Sequence, residues 1–107
     1  MHLALGNSRL LQYAGQPTAL DLSALPKDPE KAISAKAEVI RLLKQSLDAV
    51  QKAYGTADRQ KTTKLFGREV TVDNVFLRIL LHSNEHMGQS IAYARMNGIV
   101  PPWSQAP

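Results

Sequence analysis

The sequence contains no cysteine among its 107 residues. Disulfide bonds and thiolate metal sites are therefore excluded, and any metal site must use imidazole, carboxylate or water ligands. The lack of cysteine fits a reducing compartment, and the segment Met1 to Leu11 lacks the basic region and apolar run of a signal peptide. No apolar run approaches the roughly 20 residues that a membrane span requires. We therefore expect a cytoplasmic protein that does not associate with membranes.

The sequence also lacks the motifs of several common functional classes. It contains no arrangement typical of a nucleophile triad, no phosphate-binding glycine loop and no nucleic-acid-binding motif. The net charge of +4 comes from basic residues scattered among acidic and polar ones, a pattern typical of solvated helix faces. The apolar share of 44% is that of an ordinary globular protein. These features favour a single domain, residues 1–107, without a nucleic-acid partner.

The apolar spacing predicts an all-α helical bundle. Asp28 and Pro29 indicate a helix start, Thr71 indicates an N-cap, and Gly15 and Gly98 indicate helix ends. No alternating strand pattern is present, so the segments Gln16 to Lys27 and Thr56 to Val70 are expected to be loops. The predicted helices are Met1 to Ala14, Asp28 to Tyr54 and Thr71 to Asn97.

The last predicted helix carries two histidines, His82 and His86, at a spacing that brings both to one face. They belong to a line of residues that faces a core: Val75, Ile79, His82, His86, Gln89, Tyr93 and Met96. Two imidazoles on an inward face need partners, because an unpaired buried polar group is costly. The pair is therefore either part of a metal site or a hydrogen-bonded structural pair in the core or at an interface.

The neighbours of this pair do not form a zinc-protease motif. Glu85 precedes His86 instead of following His82, so it points away from the line between the two imidazoles. This position makes Glu85 a poor general base, and no catalytic residue is assigned. Gln89, one turn beyond His86, is placed to hydrogen-bond a ligand or an outer-shell water.

The segment His82-Ser83-Asn84-Glu85-His86-Met87-Gly88-Gln89, with the ending Asn97-Gly98-Ile99-Val100-Pro101-Pro102, resembles the DinB-like family of bacterial four-helix bundles. Members of that family carry one histidine early in the second helix and a pair on the fourth, gathered around a divalent metal. The resemblance implies a metal site formed by His2, His82 and His86. Three imidazole ligands that leave the fourth coordination position of the metal open suit zinc. Nickel, iron and manganese accept the same ligands.

The resemblance implies a metal-dependent enzyme, a hydrolase or a thiol-dependent transferase or isomerase, acting on a small molecule with a thiol cofactor. The alternative from another class is a non-catalytic helical module that binds a partner protein and buries its histidines. The family's first helix has no counterpart here, so the chain corresponds to the second to fourth helices. We therefore expect a homodimer that covers the apolar surface which three helices leave open.

Overall fold

A computed structural model describes residues 1–104 and is mostly helical. Helix α1 spans His2–Tyr13, the short helix α2 spans Pro29–Ala32, α3 spans Lys36–Thr56 and α4 spans Val72–Met96. Strands β1, Thr62–Leu65, and β2, Arg68–Thr71, form a hairpin, and a 3₁₀ turn covers Pro102–Ser104. No helix in the described part of the chain is both long and apolar enough to cross a membrane.

Helix α1 is the central element of the fold. It packs against both α3 and α4, whereas α3 and α4 contact each other far less. Its buried residues Leu10 and Leu11 join the main core, which also contains Ala53 of α3 and Val75 and Ile79 of α4. The predicted end of this helix is confirmed, because Gly15 adopts the left-handed conformation with φ of 65°.

The predicted helix from Asp28 to Tyr54 is interrupted, and this part of the prediction is wrong. Residues 33–35 are not helical and separate α2 from α3, and Ile33 and Ala35 have extended backbones. Ile33 packs instead against a second cluster of buried residues, which contains Ala4, Leu20 and Leu42. Burial of the Ile33 side chain by segments distant in sequence therefore competes with the local helical preference at this position.

The all-α prediction is also wrong for residues 62–71, which form an antiparallel hairpin where a loop was expected. The register pairs Thr62 with Thr71 and Leu65 with Arg68, so the connection consists of two residues, Phe66 and Gly67. Both residues have positive φ, 49° and 82°, as a tight turn of the I′ type requires. The hydroxyl of Thr63 donates a 2.6 Å hydrogen bond to the carbonyl of Tyr13, which ties the hairpin to the end of α1.

Helix α4 follows β2 directly. The side chain of Thr71 accepts a hydrogen bond from the amide of Asn74 at 3.3 Å, so the predicted N-cap is confirmed. The helix ends before Gly98, whose φ is 74°. The line of α4 residues that was predicted to face the core is buried only at its beginning. Val75 and Ile79 lie in the core, whereas Tyr93 and Met96 are exposed.

An apolar groove remains open between α3 and α4. Its volume is about 490 Å³, and its walls include Leu47, Val50 and Tyr54 on one side and Phe76 and Leu80 on the other. Leu47 and Leu80 are each exposed by about half. This groove corresponds to the apolar surface that we expected three helices to leave open. That a second copy of the chain covers it stays a prediction.

Candidate metal centre

The three histidines predicted to form a site lie together, between the start of α1 and the middle of α4. His2 begins α1, and His82 and His86 lie one turn apart in the middle of α4. The two helices run in opposite directions, because the end of α1 packs beside the first turns of α4 while its start reaches His82. This antiparallel packing brings together residues that are distant in sequence.

The ring nitrogens of the three histidines converge on one point. Nε2 of His82 lies 3.3 Å from Nε2 of His2 and 3.1 Å from Nε2 of His86. One nitrogen from each ring lies within 4.8 Å of the other two, so the group could hold a metal ion. A tetrahedral zinc with bonds of about 2.0–2.1 Å would place two ligand nitrogens about 3.3 Å apart. The two separations at His82 are therefore close to those between ligands of one zinc ion.

Hydrogen bonding alone does not satisfy this arrangement. A neutral imidazole nitrogen carries either a hydrogen or a lone pair, and each serves one neighbour at a time. Nε2 of His82 faces two other Nε2 atoms, so one of the two contacts lacks a proper hydrogen bond. A cation at the point of convergence would accept a lone pair from all three rings.

Glu30 of α2 fixes the orientation of His2. Its carboxylate accepts a 2.7 Å hydrogen bond from Nδ1 of His2, so the neutral ring carries its hydrogen on Nδ1 and directs the lone pair of Nε2 into the cluster. Carboxylates bonded to the outer nitrogen of a metal ligand commonly play this role. Sequence analysis missed Glu30, because 28 residues separate it from His2 and no local pattern connects them.

Gly6 makes room for the imidazole of His82. A Cβ atom at position 6 would lie 2.6 Å from Cε1 and 2.9 Å from Nδ1 of that ring. The Nδ1 atom is buried and has no hydrogen-bond partner among residues 1–104. Leaving a buried polar atom unpaired costs about 1–3 kcal/mol, and binding of a cation by the other ring nitrogen would offset that cost.

The surroundings of His82 favour the neutral ring that a metal ligand requires. Burial lowers the pKa of His82, and the nearby rings of His86 and His2 and the charge of Arg78 lower it further. Glu85 acts in the opposite direction and raises the pKa. Glu85 and Gln89 are both exposed on α4.

No protein-family model, curated protein or solved structure matches this chain. Membership of the DinB-like family therefore stays a prediction. Three imidazoles whose nitrogens lie close together, with a carboxylate bonded to the outer nitrogen of one of them, define the candidate site.

Proposed function

We propose that this protein binds one divalent metal ion through His2, His82 and His86 and that it is a metal-dependent enzyme of the DinB-like kind. The observation that carries the proposal is the convergence of three Nε2 atoms, with separations of 3.3 Å and 3.1 Å at His82. Three protein ligands leave a coordination position for a substrate, as catalytic zinc sites do.

Each residue of the site has a distinct role in this proposal. The three imidazoles hold the metal, Glu30 holds His2 in the tautomer that presents a lone pair, and Gly6 leaves space for His82. When bound, a divalent metal would polarise a substrate group or activate a coordinated nucleophile. The chain contains no cysteine, so a thiol in the reaction would come from a small-molecule cofactor.

The ligand set alone does not select the metal. Neutral imidazoles bind zinc, nickel, copper and iron, and the common affinity order favours the later metals of the series. The candidates that the ligand chemistry leaves open here are zinc, nickel, iron and manganese. Hydrolysis and thiol-dependent transfer or isomerisation are the reaction classes proposed.

Metal analysis of protein purified without a histidine tag tests the proposal. We expect about one equivalent of divalent metal per chain after equilibration with zinc, and loss of that metal in the double variant His82→Ala with His86→Ala. The variant Asn84→Ala is the matched control, because Asn84 lies between the two histidines on the same helix and is exposed. Equal metal content in the double variant and the wild type would refute the proposal.

The groove between α3 and α4 favours a second candidate, a non-catalytic module that binds a partner protein through this apolar surface. In that case the histidines would be structural, and their replacement would lower stability without any change in metal content. The same metal analysis, paired with the free energy of unfolding of the double variant, separates the two candidates.

A further inference from the structure

A second, smaller pocket opens directly beside the histidine cluster. Its volume is about 170 Å³, and its walls include His2 and His82 at one end and Tyr13 and Phe66 at the other, with Arg9 and Arg78 between them. A water molecule occupies about 30 Å³ in the liquid, so the pocket has the volume of about six waters. This is enough space for a small organic molecule. A ligand in this pocket would therefore lie against two of the three imidazoles.

The helical spacing explains why two arginines reach the same pocket. His2, Gly6, Arg9 and Tyr13 follow one another along one side of α1 at steps of three and four residues. Arg78 precedes His82 by one turn of α4. Because the two helices are antiparallel, Arg9 and Arg78 lie on the same side of the histidine cluster and both line the pocket.

These two guanidinium groups differ from those of Arg41 and Arg59 in lacking a carboxylate partner. Arg41 is paired with Glu38 at 2.6 Å, and Arg59 lies 3.6 Å from Asp73. Within residues 1–104, neither Arg9 nor Arg78 forms an ion pair with a carboxylate or a side-chain hydrogen bond to another residue. Two unpaired guanidinium groups at one pocket make a favourable site for a planar anion, because each presents several donors in a fixed plane.

The far end of the pocket is aromatic and is held in a strained conformation. Phe66 occupies the first turn position of the hairpin with φ of 49°, a region that costs most side chains about 1–2 kcal/mol. Its ring packs edge-on against Tyr13, with the ring centroids 5.4 Å apart. Asparagine and glycine are the usual residues at such a position. Strain of this kind points to a role for the Phe66 ring beyond forming the turn.

We propose that this pocket binds a small organic acid, with its carboxylate between Arg9 and Arg78 and its apolar part along Tyr13 and Phe66. The inference extends the proposed function, because it names the substrate class of the same site. Binding of the acid itself depends on the two arginines, so it can be measured with and without metal.

Benzoate is a suitable probe, because it combines a carboxylate with a flat apolar ring. The experiment is an NMR titration of ¹⁵N-labelled protein, first treated with EDTA and then loaded with zinc, that follows the arginine Nε–H resonances and the backbone amides. We expect a Kd on the order of 1 mM, with the largest shifts at Arg9, Arg78 and Phe66. Arg9→Gln and Arg78→Gln should each weaken binding about tenfold, the effect of losing a charge-assisted hydrogen bond.

Two controls separate a specific site from general attraction to a basic protein. Arg95→Gln removes the same charge from an exposed position in the last turn of α4, so it should leave the Kd unchanged. Benzamide has the same shape without the charge and should bind at least about tenfold more weakly. Absence of benzoate binding in both forms, or a Kd that Arg9→Gln and Arg78→Gln do not change, would overturn the inference.

The outcome is distinguishable from that of the metal proposal. Arginine-dependent benzoate binding by a protein that takes up no zinc would uphold this inference and refute the metal site. Zinc uptake together with benzoate binding that neither arginine substitution weakens would uphold the metal site and refute this inference.

Discussion

The close approach of Gly6 to His82 gives a prediction whose size follows from the structure. In Gly6→Ala the new Cβ would lie 2.6 Å from Cε1 of His82, and ordinary contact requires at least 3.4 Å, so the ring must move by about 0.8 Å. Metal–ligand distances tolerate about 0.2 Å. We therefore expect the affinity for zinc, measured by competition with a chromophoric chelator, to fall by about 10- to 1000-fold.

The same substitution should change the stability of the metal-free protein little. Alanine in place of glycine favours a helix interior by about 1 kcal/mol, and this gain opposes the cost of displacing the imidazole. Gly88→Ala is the matched control, because a Cβ at position 88 meets no atom within 4 Å. It should stabilise α4 by a similar amount and leave zinc affinity unchanged. A folded Gly6→Ala protein that binds zinc as tightly as the wild type would refute the role assigned to His82.

Three further predictions follow from the site and the groove. Glu30→Gln should weaken zinc binding about 10- to 100-fold by calorimetry, because the amide no longer holds the His2 tautomer; an unchanged affinity would contradict this. The pKa of His82 is lowered by burial, so the metal-free native state binds fewer protons than the unfolded state below about pH 6.5. The free energy of unfolding of the metal-free protein in urea should therefore fall as the pH falls from about 7.5 to about 5.5. An equal decrease in the His82→Gln variant would show that His82 is not the cause. Finally, sedimentation equilibrium at micromolar concentration should show a dimer that Leu80→Glu dissociates, since Leu80 lines the groove; a cooperative monomer of 11.8 kDa would contradict the predicted homodimer.

Features that depend on neighbouring residues could be predicted from the sequence. Gly15 and Gly98 end their helices in the left-handed conformation, and Thr71 caps α4, as local spacing indicates. The spacing of His82 and His86 also placed both rings on one face of α4. The proximity of these two rings to His2 was expected from the resemblance and not from any local pattern.

Features that depend on distant segments could not be predicted in the same way. The break at Ile33 arises from contact with Leu20 and Leu42, which no local spacing reveals. The hairpin has strands of only four residues, and a bond from Thr63 to the end of α1 holds it in place. The hydrogen bond between His2 and Glu30 likewise exists only because the fold brings two chain segments together.

X-ray absorption at the zinc edge of the loaded, tag-free protein tests the central claim most directly, because it counts the imidazoles bound to the metal. The account predicts three histidine nitrogens at about 2.0–2.1 Å in the wild type and two in His2→Ala. An identical spectrum for wild type and His2→Ala, or a zinc environment without histidine, would contradict it.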